Sequence, residues 1–151
     1  NQICHCGKTG CLETGASGSA IHRIFTEKLR EGRASLLSEK FSRGEEVSLV
    51  DILNAVNEED VLAIEVVEEI GTVLGRALAG LINIFNPELV VIGGDVATVQ
   101  EYLLLPVKSA IQKHSLNIVN KDTSIKFSKL GEKAGPIGAC MLSRSKLLGL
   151  M

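Results

Sequence analysis

Between Val61 and Phe85 apolar side chains return every three or four residues, at Ala63, Val66 and Val67, Ile70, Val73 and Leu74, Ala77 and Leu78, Leu81 and Ile82, and Phe85. That period predicts one long amphipathic helix. Asn86 and Pro87 stop it, because proline lacks the N–H donor and its ring clashes with the preceding turn. The pattern then changes to a continuous apolar run rich in β-branched residues, Leu89–Ile92, which predicts a short strand covered on both faces. Gly93 and Gly94 follow at its carboxyl end and let backbone come close to a ligand. A long helix feeding a buried strand and a glycine pair predicts an α/β domain.

Shorter patterns flank this stretch. Ala20, Ile21, Ile24, Phe25 and Leu29 predict a helix over 16–29 closed by Gly32, with Arg23, Glu27, Lys28 and Arg30 as a solvated face. Residues 34–46 are charged and read as a surface excursion holding one brief helix. Ser48 with Asp51 three positions on is a capping-box variant ahead of a short helix through Leu49, Ile52, Leu53 and Val56. Asn57 then caps the long helix, and Glu58, Glu59 and Asp60 occupy its first turn, where the helix dipole favours negative charge. After the glycine pair, 95–100 reads as a turn and 101–112 as a helix around Leu104, Val107 and Ile111, its regular part starting at Pro106. Ser124–Phe127 is a half-exposed strand with Ile125 and Phe127 on one side. A last helix opens among Gly135, Pro136 and Gly138 and buries Ile137, Met141, Leu142, Leu147 and Leu148. Three glycines inside the long helix, Gly71, Gly75 and Gly80, each cost about 1 kcal/mol of helix propensity. Close helix packing, a flat ligand or a partner subunit would each account for them.

With 151 residues and 45% hydrophobic composition the chain can form one domain with its own core. Sixteen Lys and Arg against eighteen Asp and Glu, a net charge of −2, argue against a large nucleic-acid surface as its main business. No apolar run approaches the roughly twenty residues needed to cross a bilayer. The expectation is a cytoplasmic protein with no membrane partner. Because the first residue is not methionine and a ligand cluster follows at once, a fragment or processed chain is expected.

That cluster is Cys4, Cys6 and Cys11, spaced C-x-C-x4-C. Three thiols so close need a loop folded around an ion, with Gly7 and Gly10 making the turns, and zinc prefers four Cys or His ligands. His5 or a histidine outside the stretch could be the fourth; free surface thiols are the plainer alternative. Glu13, directly beyond, could cap the next helix, accept hydrogen bonds from a polar ligand, or face solvent. Gly93 with Gly94, and the helix start at Gly135 and Gly138, are candidates for anion contact. Asp95 could hold a nucleotide or a water, or stabilise its own turn.

CHCGKTGCLET resembles the CxCGxxGCxE signature of the ROK family, the repressors, open reading frames and kinases that handle sugars; GLINIFNPELVVIGG and AGPIGA resemble its second and last conserved regions, in the same order. The resemblance implies the second lobe of an actin-like ATPase (ribonuclease H-like) fold. It implies that residues 1–151 are the C-terminal sugar- and zinc-binding half of such a protein, without its N-terminal lobe or any winged helix-turn-helix domain. Cys4, Cys6 and Cys11 match the zinc thiolates, Glu13 the glutamate on sugar hydroxyls, and Gly93 and Gly94 the glycines beside nucleotide phosphates in kinase members. The family's zinc histidine lies upstream of these cysteines, and His5 does not match it. The phosphate loop and catalytic aspartate of kinases are absent, so the resemblance implies no catalytic residue and no phosphorylation by this chain alone, phosphoryl transfer being mostly positioning and electrostatics by parts acting together. Thr14, the following Gly-Ala-Ser and Asp95 look more like sugar-responsive transcriptional regulators of the NagC/Mlc/XylR type than like kinases. The expected partners are a sugar or sugar phosphate, the N-terminal half, a second copy in a dimer, and DNA through an N-terminal domain. The alternative is half of a glucokinase-like or N-acetylhexosamine kinase-like enzyme using ATP and magnesium.

Overall fold

The computed structural model describes residues 2–149. The long helix comes as read. It is α4, Val61–Phe85, and α1 (Gly18–Arg30), α2 (Ser38–Ser42) and α3 (Leu49–Asn57) precede it. Ser17 opens α1 by accepting the Ala20 N–H, and Ala20, Ile21, Phe25 and Leu29 form its buried stripe. The Ser48–Asp51 capping box is present, each side chain bonding the other residue's backbone, and Ile52, Leu53, Ala55 and Val56 of α3 turn inward. The cap of α4 differs from expectation. Asn57 ends α3, Glu59 adopts a left-handed φ of 62° that reverses the chain, and Asp60 caps α4 by accepting from Ala63 N at 2.8 Å. Its other carboxylate oxygen accepts from Leu36 N at 2.6 Å, so one buried acid ties the surface excursion to the helix start. At the far end Asn86 takes φ 43°, ψ 56° and Pro87 follows, which terminates α4 as the sequence indicates.

Beyond α4 run β1 (Leu89–Ile92), a 3-10 turn, α5 (Gln100–His114), α6 (Asn117–Asn120), β2 (Ser124–Phe127) and α7 (Ala134–Leu147). The strands pair in parallel, with Leu89 opposite Ser124 and Ile92 opposite Phe127. α5 starts six residues before Pro106 instead of at it, and Leu103 rather than Leu104 is the buried leucine of its first half. The reason lies in α4. A Cβ on Gly71 would stand 2.8 Å from Pro106 Cγ and 3.2 Å from Leu103 Cδ1, and one on Gly75 would stand 2.5 Å from the Val107 carbonyl oxygen. The two glycines form a notch that receives the proline ring and the α5 backbone, so packing offsets the hydrogen bond that Pro106 removes. Gly80 meets nothing within 4 Å and is not part of this seam.

The core joins α1, α3, α4, α5 and the inner positions Val90, Ile92, Ile125 and Phe127 of the sheet. Leu89 and Val91 are 48% and 57% exposed, so β1 is covered on one face instead of two, because only one side of the sheet carries helices among the described residues. The expected burial along α7 is likewise not found: Ile137, Met141 and Leu142 are 40–54% exposed and Leu147 is 87% exposed. No helix among the described residues is long and apolar enough to cross a membrane.

Candidate functional site

The cysteine segment folds as a knuckle. Ile3 bridges Thr9, Cys4 N–H donates to the Lys8 carbonyl at 2.8 Å, and Gly7 N–H donates back to the Cys4 carbonyl at 2.8 Å. Gly7 and Gly10 hold φ of 80° and 78°, which side chains disfavour, and this turns all three thiols to one side. The Sγ atoms of Cys4, Cys6 and Cys11 lie within 4.8 Å of one another, and Cys6 and Cys11 are 3.5 Å apart. Zinc at about 2.3 Å from each sulfur of a tetrahedron sets sulfurs about 3.8 Å apart, so these three fit three of its corners. His5, one of the two alternatives for the fourth ligand, stands outside the cluster among the described residues. Hydrogen bonding to the Lys8 backbone, and then to the Cys11 and Cys4 thiols, lowers the Cys6 pKa. Cys11 is pushed up to about 11, mainly by its hydrogen bonds with Cys6 and Cys4. A metal ion held by all three sulfurs would displace whatever thiol protons they carry. Cys140 is exposed on α7 and takes no part.

Glu13 follows on a 3-10 turn, Leu12–Thr14, that grows directly out of the last thiol residue. Thr14 gives both its N–H (3.1 Å) and its hydroxyl (2.7 Å) to the Cys11 carbonyl. Ser17 Oγ donates to the Glu13 carbonyl at 2.6 Å, and Arg23 donates to the Thr14 carbonyl at 3.1 Å. Helix capping is thus done by Ser17, and the Glu13 carboxylate has no hydrogen-bond partner among the described residues. It lines a cleft of about 160 Å³ between Ile3, Cys4 and His5 on the knuckle and Ser19 and Arg23 on α1. The Glu13 carboxylate is the acceptor this small cleft offers to a ligand rich in hydroxyl groups, while the Ser19 hydroxyl bonds Ser17 Oγ and the Arg23 guanidinium bonds Glu27 and the Thr14 carbonyl. The helical pattern alone puts Arg23 on the polar face of α1, where it also pairs with Glu27 at 3.0 Å. Its place one helical turn after Ser19, on the end of α1 nearest the cysteines, is the signal that could have marked it.

The glycine pair lies elsewhere, at the carboxyl ends of both strands. A Cβ on Gly93 would touch Ser128 Cβ at 3.6 Å, and Gly94 holds φ 85°. Asp95 stabilises the next turn through its carbonyl, which accepts from Thr98 Oγ1 at 2.7 Å, rather than through its carboxylate. The 3-10 turn 95–99 touches the turn 131–133 that precedes α7, so the two glycine segments of the sequence meet on one side. Gly135 and Gly138 have open space where a side chain would be, and no side chain caps α7. Ligands of parallel α/β sheets bind beyond the carboxyl ends of the strands, and free helix N–H groups attract anions. The cleft at Glu13 and this glycine edge share no lining residue.

Residues 1–146 match the model of the ROK family. Among curated relatives, a glucokinase of Halalkalibacterium halodurans is 38% identical over 143 residues, covering 95% of this chain and 43% of the relative. The DNA-binding transcriptional dual regulator NagC of Escherichia coli K12 is 31% identical over 148 residues, 98% of this chain and 35% of that protein. A solved ROK family transcriptional regulator, a homolog of the E. coli MLC protein, superposes with a TM-score of 0.76 at 36% identity, over 84% of this chain and 31% of that one. The chain thus spans less than half the length of the relatives it matches. The mixed α/β architecture is that of the actin- and hexokinase-like ATPases, which solved ROK kinases share.

Proposed function

We propose, from the premise that this chain belongs to the ROK family, that it is the sugar-sensing C-terminal half of a transcriptional regulator. The observation that carries the reading is the neighbourhood of two groups: Glu13, whose carboxylate has no partner among the described residues, lines a cleft with Cys4, one of three thiols set for one metal ion. Cys4, Cys6 and Cys11 would hold zinc, which would supply there a structural clasp for the loop and no chemistry on the sugar. The chain's own residues do the rest. Glu13 accepts from sugar hydroxyls, and the Thr14, Ser17 and Arg23 bonds hold the turn that aims it. Sugar binding favours one arrangement of the two lobes, and an N-terminal winged helix-turn-helix domain of the whole protein converts that population shift into release or capture of operator DNA. The protein acts as a dimer in this reading. Similarity to NagC and to the solved MLC homolog supports it, as do Thr14, Gly15, Ala16 and Ser17 after the glutamate.

A second reading rests on the 38% identity to a glucokinase. There Gly93 and Gly94 would admit the phosphates of ATP with magnesium at the carboxyl edge of the sheet, and the base and phosphate loop would come from the other lobe. These 151 residues alone transfer no phosphate in either reading.

Calorimetry of the full-length protein with glucose and N-acetylglucosamine tests the cleft. Glu13→Gln keeps the volume and removes a charged acceptor, so affinity should fall by about tenfold or more with the melting temperature unchanged. An unaltered affinity sinks the role of Glu13. Sugar-dependent release of operator DNA supports the regulator; saturable ATP-dependent sugar phosphorylation supports the kinase instead.

A further inference from the structure

From residue 101 onward the sequence carries eight Lys and Arg against three Asp and Glu, whereas residues 1–100 carry eight against fifteen. Part of this basic excess converges on one place. A cleft of about 850 Å³ lies between α5 and β2, and Lys108, Lys121 and Lys126 line it from α5, the loop before β2, and β2 itself. None of the ion pairs among the described residues uses any of the three. Gln112 and Asn117 add neutral polar groups to the same walls.

The strand beside this cleft is open. Ser124 and Ser128 donate their N–H groups to the Glu88 and Ile92 carbonyls at 2.9 and 2.8 Å, toward β1. Backbone groups alternate sides along a strand of a parallel pair, so the N–H and C=O of Ile125 and Phe127 point to the other edge. No strand pairs there among the described residues. The cleft is lined by Ser124, Ile125 and Lys126 of β2 and by no residue of β1. An unpaired edge is a template for another strand, and one lysine on it only discourages pairing. Three lysines converging from three segments do more, because they select the charge of what may pair.

We propose that the free edge of β2 binds an extended acidic peptide of a partner protein by strand addition. The peptide backbone pairs with Ile125 and Phe127, and its carboxylates meet Lys108, Lys121 and Lys126. Charge complementarity fixes the partner's sign, and the open backbone distinguishes a peptide from a nucleic acid or a lone phosphate, which would use the lysines but leave the edge unpaired.

The test is fluorescence anisotropy of a labelled decapeptide alternating glutamate and valine, titrated with the full-length protein that carries this chain. Saturable binding is expected, and the combined variant Lys108→Glu, Lys121→Glu and Lys126→Glu should weaken it by about tenfold or more, with an unchanged circular dichroism spectrum. If that variant misfolds, the peptide carries the test. Methylating alternate backbone amides of the peptide should weaken its binding to the unaltered protein by a similar factor, because it blocks one ladder edge. No saturation at millimolar peptide, equal affinity of the methylated peptide, or tighter binding of a short DNA duplex that the three substitutions abolish would each overturn the proposal.

Discussion

Along the α4–α5 seam, Gly71 and Gly75 bring the α5 backbone, Leu103 and Pro106 onto the long helix, and Gly71, Gly75, Leu103, Val107 and Ala110 are buried there. The cysteine knuckle is built the other way. Ile3, His5 and Cys6 are exposed, and a few backbone hydrogen bonds hold three thiols around a space that suits an ion. Both regions depend on glycine, for different physical reasons. In the seam a glycine removes atoms so that another helix can approach; in the knuckle Gly7 and Gly10 adopt a left-handed backbone that side chains resist. Dense packing stabilises without help, whereas a loop with almost no buried apolar surface stands to gain most from a ligand that binds its folded form.

The sharpest way to break this contrast is Gly75→Leu, which drives four carbons into the Val107 carbonyl and Ala110. Overpacking there should lower stability by about 3 kcal/mol in urea denaturation and leave the zinc stoichiometry of the folded protein unchanged. A midpoint equal to that of the parent would mean that the helices separate freely. Next is the metal. Zinc at about a hundred times its Kd should raise stability by about 2.7 kcal/mol in the parent and by nothing comparable in Cys6→Ser, while amide protection in α4 stays the same. Loss of that protection on chelation would make the knuckle part of the core and end the distinction.

A smaller effect lies at the α3 cap, between the two regions. The Lys40 ammonium, and then Ser48, hold the Asp51 carboxyl down at about 2, below its ordinary 3.8. A depressed carboxylate stabilises the fold above its unfolded value, and that contribution disappears as pH falls through the folded one. Asp51→Ala should therefore cost about 1 kcal/mol at neutral pH, and parent and variant should converge between pH 4 and pH 2, followed by thermal melts. A gap that persists at pH 2 would show that lost packing, not charge, is responsible. The smallest change has the opposite sign. Gly80 faces open space, so Gly80→Ala should add up to about 1 kcal/mol of helix propensity, where Gly71→Ala, against Pro106, should not.

The sequence showed some of this plainly. Twenty-five residues of α4 repeat one period so often that the helix itself was legible, and the capping box of α3 and the Asn86-Pro87 stop act through neighbours in sequence. The cysteine spacing needed no tertiary knowledge either, since all three thiols fall within eight residues. What was misread depends on distant partners. Pro106 enters a regular helix because Gly71 lies across from it, which no local rule contains. Asn57 and Asp60 both have capping side chains, and the choice between them rests on the turn at Glu59. The apolar residues of α7 and the outer positions of β1 carry a burial signal that the described residues do not satisfy. Arg23 became visible as part of the Glu13 cleft only once α1 had been set against the knuckle.

The notch in α4 also constrains how this sequence can drift. At Gly71 the obstacles are side chains, the Pro106 ring first and then Leu103 Cδ1, so a lineage that first replaces the proline by a smaller residue removes the tightest contact against alanine at 71. At Gly75 the obstacle is the main-chain carbonyl of Val107, which every amino acid possesses. Substitutions at 71 and 106 should therefore travel as a pair through descent, while 75 has no partner whose change could release it.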